Sequence, residues 1–470
     1  MTGWAAQRLP SNTARAALVG LTWCVAALDL GALFSLTAFL IDPLALPIAC
    51  AAGALALLTV KRPEVGIAAA FPLVMVGNLG ITKELPWIPG LVWAVFLFVL
   101  AVLRDPRAES AFLRMPRLGL ALCGYLAASL VGFVLASDTT TALPVMRSLV
   151  TGVLLFYAIA SLVHERRQVG WVLMGIAASA VMVSGLAVYQ YLTGNVSVGF
   201  ITDTGELVGR ATAGFGSPNP LAGFLLILVP FTLAGALAYP RVRVPCLLGL
   251  VIALLGIYVS FSRGAVLALA FVPLVFLGTR RALVVAPLLL VVLAAAAPGL
   301  ARERFGSLTA QGSEVATRAD FWRTAENIWA AHPVLGVGLG GFPEAYATSR
   351  VPGKSYLPSS LFEPPPHAHN LFLNLLAEQG LLGLVAFLIL AVAAARACSK
   401  LRRDGRAWLA ALGSAGLALL VAGGLHNVFD MTLLEQPGIF FWALLGLISA
   451  ATRIAGEGRT AGELALDAGR

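Results

Sequence analysis

Residues 219–239 have the sequence NPLAGFLLILVPFTLAGALAY, 21 positions without a charged side chain. About 20 apolar residues in a helix are enough to cross the hydrocarbon core of a bilayer. The stretch is therefore predicted to span a membrane, and the rest of the chain has the same character. Of 470 residues, 59% are hydrophobic and only 12% are charged, and the mean hydropathy is +0.88. Because no single water-soluble core could bury so much apolar chain, the composition excludes a soluble fold.

Hydropathy predicts an all-α, polytopic bundle of membrane-spanning helices. The candidate segments lie near 16–40, 44–60, 64–80, 87–103, 118–136, 143–162, 169–191, 219–239, 244–261, 264–279, 282–298, 370–395, 406–425 and 437–452. The pair 244–261 and 264–279 is short and joined only through Ser262-Arg263. Since merging or re-entrance there would lower the count, we expect about 12–14 spans.

The distribution of basic residues predicts how the chain is oriented. When the spans alternate from a cytoplasmic N-terminus, 22 of the 32 Lys and Arg residues fall in short loops on one side. Cytoplasmic loops carry such an excess, so both termini are predicted to be cytoplasmic. The net charge of +9 and the pI of 9.7 then reflect topology among membrane lipids, and no nucleic-acid partner is expected.

The predicted spans also divide the chain into segments. We expect N-terminal transmembrane helices (1–192), transmembrane helices with outer-face arginine motifs (193–298), a large outer loop with short amphipathic helices (299–369), C-terminal transmembrane helices (370–453) and a cytoplasmic tail (454–470). The five cysteines lie in or beside apolar runs without a Cys-x-x-Cys spacing, so neither a metal site nor a disulfide framework is predicted from them.

The outer loop contains one clear helical pattern. An i, i+1, i+4, i+7, i+8 spacing, which marks one face of a helix, is formed by Phe321, Trp322, Ala325, Ile328 and Trp329. Thr317 is the predicted N-cap, and His332-Pro333 is predicted to end the helix. The helix either lies at the membrane interface, with Arg318 and Arg323 directed toward headgroups or a ligand, or packs on the bundle as a lid.

A glycine-rich segment, Gly336-Val337-Gly338-Leu339-Gly340-Gly341, follows this helix. No strand precedes it and no βαβ unit fits around it, so a nucleotide-binding site is not predicted. The glycines instead indicate a tight segment rich in turns.

Three arginines at the predicted outer face are candidates for binding an anion. Arg210 precedes the span that begins at Asn219, and Arg263 lies between two apolar helices with no acidic residue within twenty positions. An arginine at such depth is costly unless it has a partner, and its planar donor fork suits phosphate. The alternative is that these side chains extend to the interface without a ligand. Arg147, near the start of a span, is the third candidate.

Two histidines follow a rigid proline run, in the order Pro364-Pro365-Pro366-His367-Ala368-His369-Asn370. Histidine is the natural general base near neutral pH. A His-x-His pair also suggests a metal, but no third ligand has a convincing spacing, so no metal is predicted. The remaining alternative is that these residues only satisfy backbone groups at the start of a helix.

Acidic groups near these histidines are candidates for a supporting role. Glu378 would lie inside the bilayer, where a carboxyl must be paired or protonated. It is either a partner for one of the arginines or a structural carboxyl bonded between helices. His426, Asn427 and Asp430, at the outer end of the next hairpin, either support the site or form a hydrated loop.

Taken in order, these motifs resemble the O-antigen ligase and Wzy-type polymerase family. The resemblance covers about 200–380 and rests on Arg210, Pro218-Asn219-Pro220-Leu221-Ala222, Ser262-Arg263-Gly264-Ala265, Arg323, Trp329, Pro333, Gly336, Gly338, Phe342, His369-Asn370-Leu371-Phe372, Glu378 and Gly380-Leu381-Leu382-Gly383. It implies a GT-C-like membrane glycosyltransferase without cofactor or metal. Such an enzyme passes a glycan from an undecaprenyl-diphosphate-linked donor to an acceptor hydroxyl at the periplasmic face of a bacterial inner membrane.

The resemblance also implies roles for individual residues. Arg210 and Arg263 would bind the donor diphosphate, and His369 or His367 would be catalytic. Arg147, which its position in the sequence makes the third candidate, is expected to bind the diphosphate with them. The residues expected to support them are Asn370, Glu378, Asn219, Arg318 and Arg323. Because a base would deprotonate the acceptor for in-line attack, inversion at the anomeric carbon is expected.

Three activities remain open at this point. The favoured one is an O-antigen ligase that attaches O-antigen to lipid A–core, and the alternative is a Wzy-type polymerase that elongates lipid-linked repeat units. A lipid-linked glycan flippase is the third. Transporters place ionisable groups near the midplane on a path open to both faces, whereas the informative charges here are predicted to collect on one side.

Overall fold

The computed structural model describes residues 45–76, 87–104, 116–196, 198–201, 207–277, 314–349, 367–434 and 436–468. The predicted spans near 16–40 and 282–298 lie outside these ranges. Within them the protein is an all-α helical bundle, apart from one short hairpin, as the composition predicts.

The helices, numbered in chain order, are α1 (Ala45–Lys61), α2 (Pro63–Val76), α3 (Ile88–Arg104), α4 (Pro116–Val134), α5 (Thr139–Leu162), α6 (Arg166–Thr193), α7 (Pro218–Ala238), α8 (Arg243–Ser260), α9 (Arg263–Leu269), α10 (Phe271–Leu277), α11 (Glu314–Ala331), α12 (Phe342–Ser349), α13 (Leu371–Arg402), α14 (Ala407–His426) and α15 (Gly438–Ala468). A 3₁₀ turn, Pro240–Val242, joins α7 to α8. In the described ranges, eight helices or helix pairs are long and apolar enough to cross a membrane: α4, α5, α6, α7, α8 with its 3₁₀ turn, α13, α14 and the first part of α15. The chain is therefore a multi-pass membrane protein.

The predicted span near 264–279 has a different form from its neighbours. It consists of the two seven-residue helices α9 and α10, which meet at Ala270. Pro273 lies in the first turn of α10. Because proline lacks the N–H that would continue the hydrogen-bond ladder and its ring clashes with the preceding turn, one continuous helix through this point is disfavoured.

The core of the bundle is built from its most apolar helices. α7 is buried along most of its length and packs against α8 and α14, while α15 packs along α5. α13 lies between α4 and α14. The charge-poor stretch 219–239 is thus surrounded by other helices rather than by lipid, which explains why it carries no polar face.

A β-hairpin is the one departure from the all-helical prediction in the described residues. Strands β1 (Val198–Ile201) and β2 (Leu207–Arg210) pair antiparallel, with Val198 opposite Arg210. The hairpin lies within the segment 193–218, where the hydropathy pattern breaks. It brings Arg210 to the end of the bundle at which α7 and α9 begin, which we call the loop end. α13 also begins at the loop end, and α14 ends there.

The segment Pro333–Gly341 docks into a break in α13 at the loop end. Gly380 has non-helical angles (φ 61°, ψ −159°), so the helix ladder is interrupted. Four backbone hydrogen bonds join the segment to the helix there: Val337 N–H to Ala377 O (3.0 Å), Gly338 N–H to Glu378 O (2.9 Å), Leu381 N–H to Pro333 O (2.9 Å) and Leu382 N–H to Val334 O (3.1 Å). The groups freed by the break are thus satisfied by the segment.

The same segment contacts the end of α4 and the turn that follows it. Leu339 donates its N–H to Gly132 O at 2.8 Å. Gly338 has φ +97°, and a Cβ built on it would lie 2.7 Å from Leu135 O. Only glycine fits this position, because an L side chain would be strained and would collide with backbone. The prediction of a tight, turn-rich segment is confirmed.

We expect Gly338→Ala to destabilise the protein. Backbone strain alone costs about 1–3 kcal/mol at such a position, and the contact with Leu135 O adds to it. The measurement is the Tm of the detergent-solubilised protein. Gly185→Ala in α6 is the matched control, because no atom lies within 4 Å of its new Cβ. A wild-type Tm for Gly338→Ala would show that the segment is not docked against the α4–α5 turn.

Candidate active site at the loop end of the bundle

α11 packs over the loop end as a lid. Phe321, Ala325 and Ile328 are buried against a cluster that includes Phe342 and Tyr346 of α12. The Tyr346 hydroxyl donates to Asp320 Oδ2 at 2.7 Å. The predicted apolar face is confirmed, and its burial agrees with the lid interpretation.

The bounds of α11 differ from the prediction at one end only. The helix begins at Glu314, three residues before Thr317, so the N-cap prediction is wrong. It ends at Ala331, directly before His332-Pro333, as predicted. The Trp329 indole donates to Pro333 O at 3.2 Å, which fastens the end of α11 to the docked segment.

The start of α13 is fixed from two sides. Asn370 is its N-cap, and its Oδ1 accepts hydrogen bonds from Phe372 and Leu373 N–H at 3.0 and 3.1 Å. Leu371 N–H donates to the carbonyls of Asn427 and Asp430, at 2.8 and 3.1 Å. The histidine motif is thereby joined to the turn that follows α14.

His367 and His369 lie side by side just before this cap. Their ring centroids are 4.3 Å apart, and His369 N–H donates to His367 Nδ1 at 3.1 Å. Ala368 N–H donates to Asn374 Oδ1 at 3.0 Å. His369 adopts a left-handed conformation, φ 49°, which is uncommon for a non-glycine residue and is typical of functional sites.

Asp430 faces His369. Its Oδ1 lies 3.8 Å from His369 Nδ1, which is an ion-pair distance. Asp430 is almost fully buried, while 29% of the His369 side chain is exposed. The Phe321 ring stacks on His369 with centroids 5.7 Å apart. His369 is therefore held on two sides and accessible from a third.

Burial and local charge determine the ionisation of this pair. Burial lowers the pKa of His369, and the charge of Arg318 on α11 lowers it further. The interaction with Asp430 raises this pKa and so partly opposes the effect of burial. Burial alone would raise the pKa of Asp430, but the facing histidines hold it well below its usual range. Neutral imidazole next to ionised carboxylate is the resulting state near neutral pH.

Arg210 is anchored inside the loop end. It is 5% exposed, and its Nε donates to Ser260 O at 2.9 Å. Its Nη2 donates to Asn219 Oδ1 at 3.2 Å. Ser260 is the last residue of α8, and Arg263 is the first of α9, so the structure brings the two arginine motifs together.

The arginine motifs also meet the turn after α14. A Cβ built on Gly264 would lie 3.6 Å from His426 Nδ1 and 3.8 Å from Phe429 Cβ. His426 is 1% exposed, and neither ring nitrogen has a hydrogen-bond partner among the described residues. The turn 427–430 contains Asp430, which faces His369, and Phe429, which contacts Gly264. It thus links the histidine motif to the arginine motif.

Two predicted residues have structural partners instead. The Arg147 guanidinium lies over the Trp87 ring, 4.4 Å from its centroid, and no contact within the described ranges joins it to the histidines. Buried Glu378 accepts the N–H of Phe342 through Oε1 at 3.3 Å. This agrees with the alternative of a structural carboxyl, since it fixes the start of α12 to α13. Arg323 is exposed on α11.

Asp430 as the partner of His369 was not singled out by the sequence. The only signal was an acidic residue in a His-Asn-x-x-Asp turn between two apolar spans, and the turn alone does not show which way the carboxylate points. The aromatic pair Trp322 and Phe429 was likewise missed, because its members lie over a hundred positions apart.

One group of side chains has the composition of a metal site. His367, His369 and Asp430 each present one ligand atom, and the three atoms lie within 4.8 Å of one another. Two imidazoles and a carboxylate with an open fourth position suit a zinc-type ion. Asp430 is thus a candidate third ligand that the sequence spacing did not reveal. The prediction that no metal is used stays a prediction.

Taken together, the fold and this site define a multi-pass helical membrane protein with a polar, arginine- and histidine-containing centre at one end of the bundle. Residues 248–388 match the model of the O-antigen ligase family, so the predicted family resemblance is confirmed over these residues. The matched range includes Arg263, the histidine motif and Glu378. A comparison with curated proteins gives no match.

Proposed function

We propose that the protein is a membrane glycosyltransferase that transfers a glycan from an undecaprenyl-diphosphate-linked donor to an acceptor hydroxyl. We propose further that it is an O-antigen ligase with lipid A–core as acceptor. One observation carries this proposal: the motifs of Arg210 and Arg263 meet the His369–Asp430 pair at one end of the bundle. The match to the O-antigen ligase family supports it.

The arginines would act on the leaving group. When the bond between the anomeric carbon and the diphosphate oxygen breaks, its electron pair stays on the diphosphate. Fixed guanidinium groups in a low-dielectric site stabilise that developing charge more than they stabilise the bound donor. Arg210 is suited to this role because Ser260 and Asn219 hold its guanidinium before the donor arrives.

His369 would act as the general base. Since its Nδ1 faces Asp430, Nε2 is the nitrogen that can take the proton of the acceptor hydroxyl. The acceptor oxygen then attacks the anomeric carbon opposite the departing diphosphate, which inverts the configuration. The ionised Asp430 stabilises the imidazolium that forms. His367 is 6% exposed and uses Nδ1 to accept the N–H of His369, which favours a supporting role for it.

The proposed orientation follows from the charge distribution. With the termini in the cytoplasm, the loop end would face the periplasm of a bacterial inner membrane, where the lipid-linked donor is presented. The segments 1–192, 193–298, 299–369, 370–453 and 454–470 would then be alternating helical units around one large periplasmic loop. The energy for transfer would come from the donor bond itself.

Reconstitution in vesicles with lipid-linked repeat units, with and without lipid A–core, tests the reaction. We expect glycan to be transferred to the core and no chain growth in its absence. Longer lipid-linked chains without core would assign the protein as a polymerase instead. Movement of the lipid-linked glycan across the vesicle membrane without any new glycosidic bond would contradict the enzyme proposal and favour a flippase.

The proposed roles predict the behaviour of two substitutions. Arg263→Ala and His369→Ala are each expected to reduce transfer to background in the same vesicles, because one removes charge stabilisation and the other removes the base. Both proteins should still insert, as judged by their yield in the membrane fraction. Arg402→Ala, at an exposed position near the opposite end of α13, is the control and should retain full activity. Full activity of the double variant would refute the site.

The proposed mechanism uses no metal, although His367, His369 and Asp430 are close enough together to bind one. We therefore expect excess EDTA to leave the rate of transfer unchanged. The measurement is the initial rate with and without EDTA, followed by addition of zinc. Loss of activity with EDTA and its return with zinc would show that the three side chains hold an ion and that His369 is not a free base.

A further inference from the structure

We propose that Trp322 and Phe429 form an aromatic surface that binds the first sugar ring of the donor, the ring joined to the diphosphate. This inference rests on the proposed function and deepens it, because it names the part of the site that recognises the sugar. It is carried by the contacts that place Phe429 beside the motif of Arg263, and by the neighbours of the pair that contact His369.

The two rings come from separate parts of the chain and form one surface. Trp322 lies on α11, and Phe429 lies in the turn after α14. Their ring centroids are 6.2 Å apart, with an angle of 40° between the planes. Phe429 is 39% exposed, although it lies at a site where its neighbours His426 and Asp430 are buried. Phe429 therefore has accessible surface next to the buried polar groups of the site.

One side of the surface adjoins the arginine motif. A Cβ built on Gly264 would lie 3.8 and 3.9 Å from Phe429 Cβ and Cδ2, and Gly264 follows Arg263 directly. Phe429 therefore packs against the first turn of α9, at the residue that follows Arg263.

The other side of the surface adjoins the proposed base. Phe321, which precedes Trp322, stacks on the His369 ring at 5.7 Å. Asp430, which follows Phe429, faces His369 Nδ1 at 3.8 Å. Trp322 and Phe429 are thus each next in sequence to a residue that contacts His369, and Phe429 also lies against Gly264, which follows Arg263.

The reaction requires a sugar in this position. In an in-line displacement, the anomeric carbon lies between the leaving oxygen and the attacking oxygen, so the first ring must occupy the space between the arginines and His369. A pyranose ring presents a face of C–H groups, which matches the electron-rich face of an aromatic side chain. Binding sites for small ligands are lined in this way by aromatic rings with a few polar groups.

A further feature of Trp322 points to a polar ligand. Its indole Nε1 is buried and has no hydrogen-bond partner among the residues that the structure describes. A buried N–H without a partner is costly, and a sugar hydroxyl is an acceptor of the right kind. The pair therefore combines two aromatic rings with a buried N–H donor that has no partner among the described residues.

Binding of two probes to the full-length protein in nanodiscs tests this inference. One probe is undecaprenyl diphosphate without sugar, and the other is the same lipid carrying the glycan. We expect Phe429→Ala and Trp322→Ala to weaken binding of the glycan-bearing lipid about fivefold to tenfold. Binding of the sugar-free lipid should be unchanged, since the arginines remain.

Matched variants separate recognition from structure. Phe429→Tyr and Trp322→Phe keep an aromatic face and are expected to bind the glycan-bearing lipid nearly as well as the wild type. Phe271→Ala in α10 is the control, because Phe271 is also a phenylalanine with 39% exposure but lies outside the site. The Tm of each variant reports on folding.

The outcomes distinguish this inference from the proposed function. If the wild type binds both probes and the alanine variants bind the glycan-bearing lipid as tightly, the aromatic surface is not a sugar site, although the enzyme proposal stands. Equal weakening for both probes would show that the pair only supports the structure or anchors it at the interface, which also overturns the inference. A wild type that binds neither probe would overturn the proposed function itself.

Discussion

The exchange of backbone hydrogen bonds at Gly380 is the constraint on which the loop end depends. A helix interrupted inside an apolar bundle leaves N–H and C=O groups without partners, and each such group costs several kcal/mol away from water. The docked segment Pro333–Gly341 supplies the missing partners through four bonds. Glu378 adds a side-chain bond to Phe342 N–H, so that α12 starts at a fixed point of α13. The break and the segment are therefore stable only together.

The site follows from this junction. α12 packs against α11, whose buried face carries Phe321 onto the ring of His369. On the opposite side, the N-cap Asn370 and the bonds from Leu371 to the turn after α14 bring Asp430 to the same ring. That turn also contacts Gly264 next to Arg263. Contacts between distant parts of the chain thus define where the polar side chains meet.

Much of this architecture could be predicted from the sequence, and the part that could not has a physical reason. The apolar spans, the buried face of α11 and the grouping of arginine and histidine motifs at one end follow from hydropathy and spacing, which are local properties. The partners of individual side chains are not local. Arg147 pairs with Trp87, Glu378 holds α12, and Asp430 faces His369 because distant segments pack together. The hairpin that carries Arg210 is too short to give a strand pattern.

The docked glycine segment has a consequence for how a substrate reaches the centre. Withdrawing Pro333–Gly341 would strip four hydrogen bonds from apolar surroundings, so this part of the loop end behaves as a rigid wall and not as a hinged gate. Under the proposed function, the donor is tethered to a long hydrocarbon tail. A fixed wall at this point suits lateral arrival of such a donor, in which the headgroup slides into the centre while its tail stays dissolved in the bilayer.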